Sequence, residues 1–105
     1  MGTEKRTHSR FPVKLRVVLD LAGRGVEARS RDLSLGGMFV EGAAPVPYGT
    51  VLTLDLYLPA LDTPARMRCV VRWNVSDGMG VAFGPLRAAE AWAINQLAAL
   101  HTPRS

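Results

Sequence analysis

Leu52, Leu54, Leu56 and Leu58 occupy alternate positions, with Thr53, Asp55 and Tyr57 between them. Successive side chains of an extended strand point to opposite faces, so this run makes a strand with one apolar and one polar face. The same period of two recurs elsewhere. Val13, Leu15, Val17, Leu19 and Leu21 alternate with Lys14, Arg16, Val18 and Asp20, and Met67, Cys69, Val71 and Trp73 alternate with Arg66, Arg68, Val70 and Arg72. Shorter strand-like runs cover Val26 to Leu33, Met38-Phe39-Val40 and Gly80 to Phe83. Turn chemistry separates them at Ala22-Gly23-Arg24-Gly25, Ser34 to Gly37, Gly42 to Gly49, Asp62-Thr63-Pro64 and Ser76-Asp77-Gly78. Six short strands with close turns, each with one face to hide, predict a small antiparallel barrel or sandwich.

The flanks read differently. Residues 1–12 carry no apolar period and read as a flexible arm before a barrel at 13–84. From Leu86 to Leu100 the chain is rich in alanine and free of glycine and proline, which favours helix. Leu86, Ala89, Ala93, Ile94, Leu97 and Leu100 are expected to form its buried stripe. The helix is placed at 85–100 and a tail at 101–105, within one domain spanning 1–105.

Charge narrows the range of partners. The first 31 residues hold eight of the 13 basic side chains and three of the nine acidic ones, so the positive charge gathers at the N-terminal end. Eleven of the 13 are arginine, which favours bidentate recognition of an anion. One cysteine, Cys69, rules out an intrachain disulfide and points to a reducing compartment. With no apolar leader at Met1–Arg10 and no bilayer-length apolar run, a cytoplasmic location is expected. Enzyme constellations are weak. The two histidines, His8 and His101, fall in the expected flexible ends, Ser34 has no triad spacing, and Gly36-Gly37 is not followed by a phosphate-loop lysine. Binding without catalysis, cofactor or metal is the expectation.

Two segments carry binding chemistry. Arg6-Thr7-His8-Ser9-Arg10 places two arginines four residues apart, and Asp32-Leu33-Ser34-Leu35-Gly36-Gly37 combines a carboxylate, a hydroxyl and two glycines. Guanidinium forks match phosphate oxygens and the O6/N7 edge of guanine. An ionised Asp accepts from the N1–H and N2–H of guanine. Glycine permits close backbone approach or a positive φ.

With both segments in order, the chain resembles the PilZ family of cyclic di-GMP receptors, whose motifs are an RxxxR arm and a later DxSxxG turn. The likeness runs from about Lys5 to Leu86. It includes Gly36-Gly37-Met38-Phe39-Val40, Pro47-Tyr48-Gly49, Val70-Val71-Arg72-Trp73 and Gly78-Met79-Gly80-Val81-Ala82-Phe83. The resemblance implies a six-stranded antiparallel β-barrel with the arm lying across its outer surface. It implies that Arg6 and Arg10 grip guanine edges and phosphates, and that Asp32 and Ser34 hydrogen-bond a guanine from the barrel wall. Gly36 and Gly37 would leave room for the ligand, although a turn needing positive φ is an equal reading. Lys5 would lie close to the ligand. Trp73 would lie near a base, although its register sets it with the core-facing Met67, Cys69 and Val71. Ligand binding would order Thr3 to Pro12 and change the surface offered to a downstream protein, as in control of motility, surface polysaccharide or biofilm. Two other readings stand beside this one: an adaptor of the same fold that binds protein without nucleotide, and a small basic barrel for nucleic acid. The second is weakened by aromatic residues that mostly fall in core register.

Overall fold

A computed structural model describes residues 10–43 and 46–101. Lys5, Arg6 and most of the expected arm lie outside the described residues. Seven strands and one helix follow in order: β1 (Phe11–Pro12), β2 (Arg16–Leu21), β3 (Arg24–Leu33), β4 (Gly37–Glu41), β5 (Val51–Leu56), β6 (Ala65–Val75), β7 (Gly78–Phe83) and α1 (Ala88–His101). Every pairing is antiparallel. The sheet runs β1-β3-β2-β5-β6-β7-β4, and β4 pairs back onto β3. Strands β2 to β7 therefore close a six-stranded barrel, and β1 is a two-residue addition at the end of β3.

The alternating leucines behave as their period requires. Val17, Leu19, Leu54, Leu56 and Val71 are fully buried, and the polar residues between them face outward. Ala93, Ile94 and Leu97 of α1 join the same core, so the helix caps the barrel interior. None of the described helices is long and apolar enough to cross a membrane.

Three expectations are corrected at the flanks. The first long strand does not begin at Val13. Around Val13–Leu15 the hydroxyl of Ser30, itself fully buried, replaces ladder bonds: it accepts from the Leu15 N–H at 2.9 Å and donates to the Val13 carbonyl at 2.6 Å. The arm does not extend to Pro12, because Phe11 and Pro12 pair with Leu33 and Asp32. Phe11 is buried and its ring stacks on His101 with centroids 5.5 Å apart. His101 closes the helix rather than opening a tail, and its Nδ1–H donates to the Leu97 carbonyl at 2.9 Å.

The helix also starts three residues later than expected, at Ala88, and presents a rotated stripe. Glu90 turns back to accept from the Arg87 N–H at 2.9 Å, half of a capping box, and is buried in doing so. Glu90, Ala93, Ile94 and Leu97 face inward, whereas Leu100 is 80% exposed and Ala89 is exposed.

Candidate functional site

Two irregularities of register build the outer surface beneath Arg10. Between β3 and β4 the pairing passes from Ser30↔Val40 to Asp32↔Phe39, so Arg31 is an extra residue. Between β6 and β7 it passes from Val71↔Val81 to Trp73↔Gly80, so Arg72 is extra. A bulge re-aims the side chains beside it. Here the second one turns Trp73 out of the core register, leaving it 45% exposed. The sequence pattern, which carries no mark of an inserted residue, groups Trp73 with Met67, Cys69 and Val71 instead.

Both bulges fall on one register row. Asp32 pairs with Phe39, Phe39 with Gly80, and Gly80 with Trp73. Gly80 is what lets the row lie flat: a Cβ there would stand 2.7 Å from the indole Cε2 of Trp73. The indole thus lies across the glycine, its centroid 6.4 Å from that of Phe39. Phe39 is covered in turn by the guanidinium of Arg31, 4.1 Å above its ring.

Arg10 joins the two ends of this row. Its Nη1 donates to Asp32 Oδ1 at 2.8 Å, and its guanidinium carbon lies 5.6 Å from the Trp73 ring centroid. Asp32 Oδ1 also accepts from the Phe39 N–H at 3.1 Å, so the carboxylate supplies a rung of the ladder beside the bulge. Arg31 is shared between Glu41 at 3.2 Å and Asp77 at 3.3 Å.

The rest of the second motif faces its own backbone. Ser34 is only 4% exposed. Its Oγ accepts from the N–H groups of Gly36 and Gly37 at 3.1 and 3.2 Å and lies 3.3 Å from the Gly37 carbonyl. Neither Gly36 nor Gly37 takes a positive φ. Gly37 is buried in the β4–β7 pairing, where a Cβ would lie 2.2 Å from the Val81 carbonyl oxygen. What needs glycine at 37 is close strand approach, not left-handed backbone. Of the residues singled out in the sequence, Arg10, Asp32 and Trp73 meet on the outer wall, while Ser34, Gly36 and Gly37 shape the turn beside them. Phe39, Gly80 and Arg31 were missed as contributors, because their placement depends on the two bulges. Among the described residues no cluster of three His, Cys, Asp or Glu side chains could hold a metal ion.

The fold defines a class: small six-stranded antiparallel barrels with one C-terminal helix. Within that class the chain belongs to the PilZ domain family, a family of cyclic di-GMP receptors and adaptors, whose sequence model matches residues 4–100. Its fold is similar to that of the Bacillus subtilis Inhibitor of motility (MotI/DgrA), with a TM-score of 0.76 at 21% sequence identity. The match covers 93% of this chain and 51% of that one, so the chain spans about half the length of that protein. No curated protein matches the sequence.

Proposed function

We propose that this chain is a cyclic di-GMP receptor that acts by binding alone and passes the signal to a partner protein through its N-terminal arm. The observation that carries this reading is the 2.8 Å contact between Arg10 and Asp32, which joins the two family motifs across 22 positions of sequence. Around that contact the surface offers what a guanine nucleotide requires. Asp32 is an acceptor for the guanine N–H groups, Arg10 and Arg6 are guanidinium donors for phosphate or the O6/N7 edge, and Trp73 is a half-exposed aromatic plane. Lys5 would add a further cation beside the arm. Ser34, Gly36 and Gly37 support the site by holding the turn. Each charge-assisted hydrogen bond contributes roughly 1.5–3 kcal/mol, enough for a few of them to offset the entropy lost when the arm orders.

Family membership and the motif residues support the nucleotide, and the motility or surface-polysaccharide setting follows from the family resemblance. The adaptor reading is favoured by a separate observation: Arg10 and Asp32 already neutralise each other, and the Ser34 hydroxyl is engaged by its own turn. Calorimetric titration of the folded chain with cyclic di-GMP, GTP and a single-stranded oligonucleotide decides between the readings. Heat with cyclic di-GMP alone supports the receptor. Its absence leaves the adaptor, and heat with the oligonucleotide alone points to the nucleic-acid barrel. Amide exchange at residues 3–10 that slows on adding cyclic di-GMP would support arm ordering.

A further inference from the structure

Arg16 and Arg29 are direct register partners on adjacent strands, and both are exposed. Like charges placed opposite each other weaken a sheet unless something neutralises them. Arg16 is neutralised by Glu27, through contacts of 3.1 and 2.6 Å, and its guanidinium lies 4.6 Å from the centroid of Tyr57. Arg29 has no such relief. Its partner on the other side of β3 is Glu41, but that carboxylate binds Lys14 at 2.7 Å through one oxygen and Arg31 at 3.2 Å through the other. Arg29 has no ion-pair partner among the described residues. Beside it lies an open groove of about 340 Å³ lined by Lys14, Arg16, Glu27 and Arg29, with Leu15, Ala28 and Gly42 supplying uncharged surface.

The charge pattern selects the occupant. Among the described residues no aromatic side chain lines the groove, so they offer no stacking plane for a base. Glu27 and Glu41 are each already paired, with Arg16 and with Lys14 and Arg31. Among the described lining residues Arg29 is thus the one cation left without a carboxylate, too little for a continuous polyanion such as a nucleic acid, whose binding rests on many cations. A protein surface, where carboxylates are interspersed with neutral and basic side chains, presents single carboxylates that match one free guanidinium. We propose that this groove docks an acidic segment of a protein partner, one carboxylate of which takes the guanidinium of Arg29 as a two-oxygen pair. The proposal deepens the receptor reading by naming the chemistry of the partner, and it rests on that reading only for its link to nucleotide. That link is Glu41, which Lys14 in the groove shares with Arg31 over Phe39.

The test is a titration of the isotope-labelled full chain, followed by amide chemical shifts. The probe is a short alternating glutamate–alanine peptide, with the glutamine–alanine peptide and inorganic phosphate as controls. The glutamate peptide is expected to shift amides 14–16, 27–29 and 42, and neither control should do so at equal concentration. Arg29→Ala and Arg29→Glu should each weaken the peptide about tenfold or more while binding cyclic di-GMP as the parent chain does. Equal shifts with either control, shifts centred on Arg10 and Asp32, or Arg29 variants within about twofold of the parent would overturn the proposal. A chain that takes the glutamate peptide at 14–16 and 27–29 but gives no heat with cyclic di-GMP would remove the receptor reading and leave the docking groove standing.

Discussion

Asp32 and Trp73 stand at the two ends of a single register row that crosses four strands of the barrel, and Arg10 touches both. Neither end is near the other in sequence. What aligns them is a pair of bulges, one in β3 and one in β6, that fall on the same row.

On the proposed reading, Arg10 serves the ligand rather than the fold. Replacing it with Ala removes one part-buried ion pair and one cation–ring contact. Stability should change by less than about 1 kcal/mol. Affinity for cyclic di-GMP should fall by about tenfold or more, in keeping with a lost charge-assisted hydrogen bond. Thermal melting and calorimetry on the same preparation check both halves, and a variant that no longer folds would refute this division of labour.

Asp32 carries a structural duty as well, so its two variants should part company. Asp32→Ala leaves the Phe39 N–H without its acceptor and should cost about 1–3 kcal/mol of stability. Asp32→Asn keeps an oxygen in that place and should melt close to the parent, yet it cannot pair with Arg10 as a charge. Denaturant unfolding should therefore rank parent and Asn together above Ala, whereas nucleotide titration should rank the parent above both.

Two glycines should respond in opposite ways to the same added methyl group. At Gly37 the methyl meets the Val81 carbonyl, backbone that cannot yield without parting β4 from β7. Gly37→Ala should lose ~3 kcal/mol or more. At Gly80 it meets the edge of the Trp73 indole, a half-exposed side chain free to swing. Gly80→Ala should stay folded, shift the Trp73 fluorescence and weaken nucleotide binding. Equal destabilisation of the two variants would contradict the rigid and yielding neighbours assigned to them.

Cys69 lies in the core, and burial pushes its thiol up to about 12, where an ordinary cysteine ionises near 9. Between those values the unfolded chain releases this proton and the folded chain keeps it, so the folded state binds more protons and stability falls as pH rises. The loss approaches about 1.4 kcal/mol per pH unit within that window. Comparing chemical unfolding of the parent and Cys69→Ala from pH 8 to pH 11 isolates this contribution from lysine and tyrosine. The parent should decline more steeply than the variant, and native Cys69 should resist thiol reagents at pH 8.

The barrel was legible because burial follows a period of two. Leu52, Leu54, Leu56 and Leu58 are all buried, as their alternation required. The site was legible only in part. Arg10 and Asp32 announce their chemistry through residue type and spacing, but the exposure of Trp73 depends on a single extra residue, Arg72, that alternation cannot detect. Phe11 was read as part of the arm because one aromatic before a proline has no period, yet its partner is His101 at the far end of the chain. The helix stripe was displaced for a related reason: Glu90 is polar by type but is drawn inward by the Arg87 amide it caps.

The inward-facing turn bears on how such motifs are interpreted. Ser34 and Gly37 hold together the place where β3 passes into β4, whether or not any nucleotide arrives. A chain of this fold that bound no nucleotide would still need both letters to keep its walls joined. The turn letters therefore report the fold, and under the proposed function it is residues such as Arg10 and Asp32 that report the ligand.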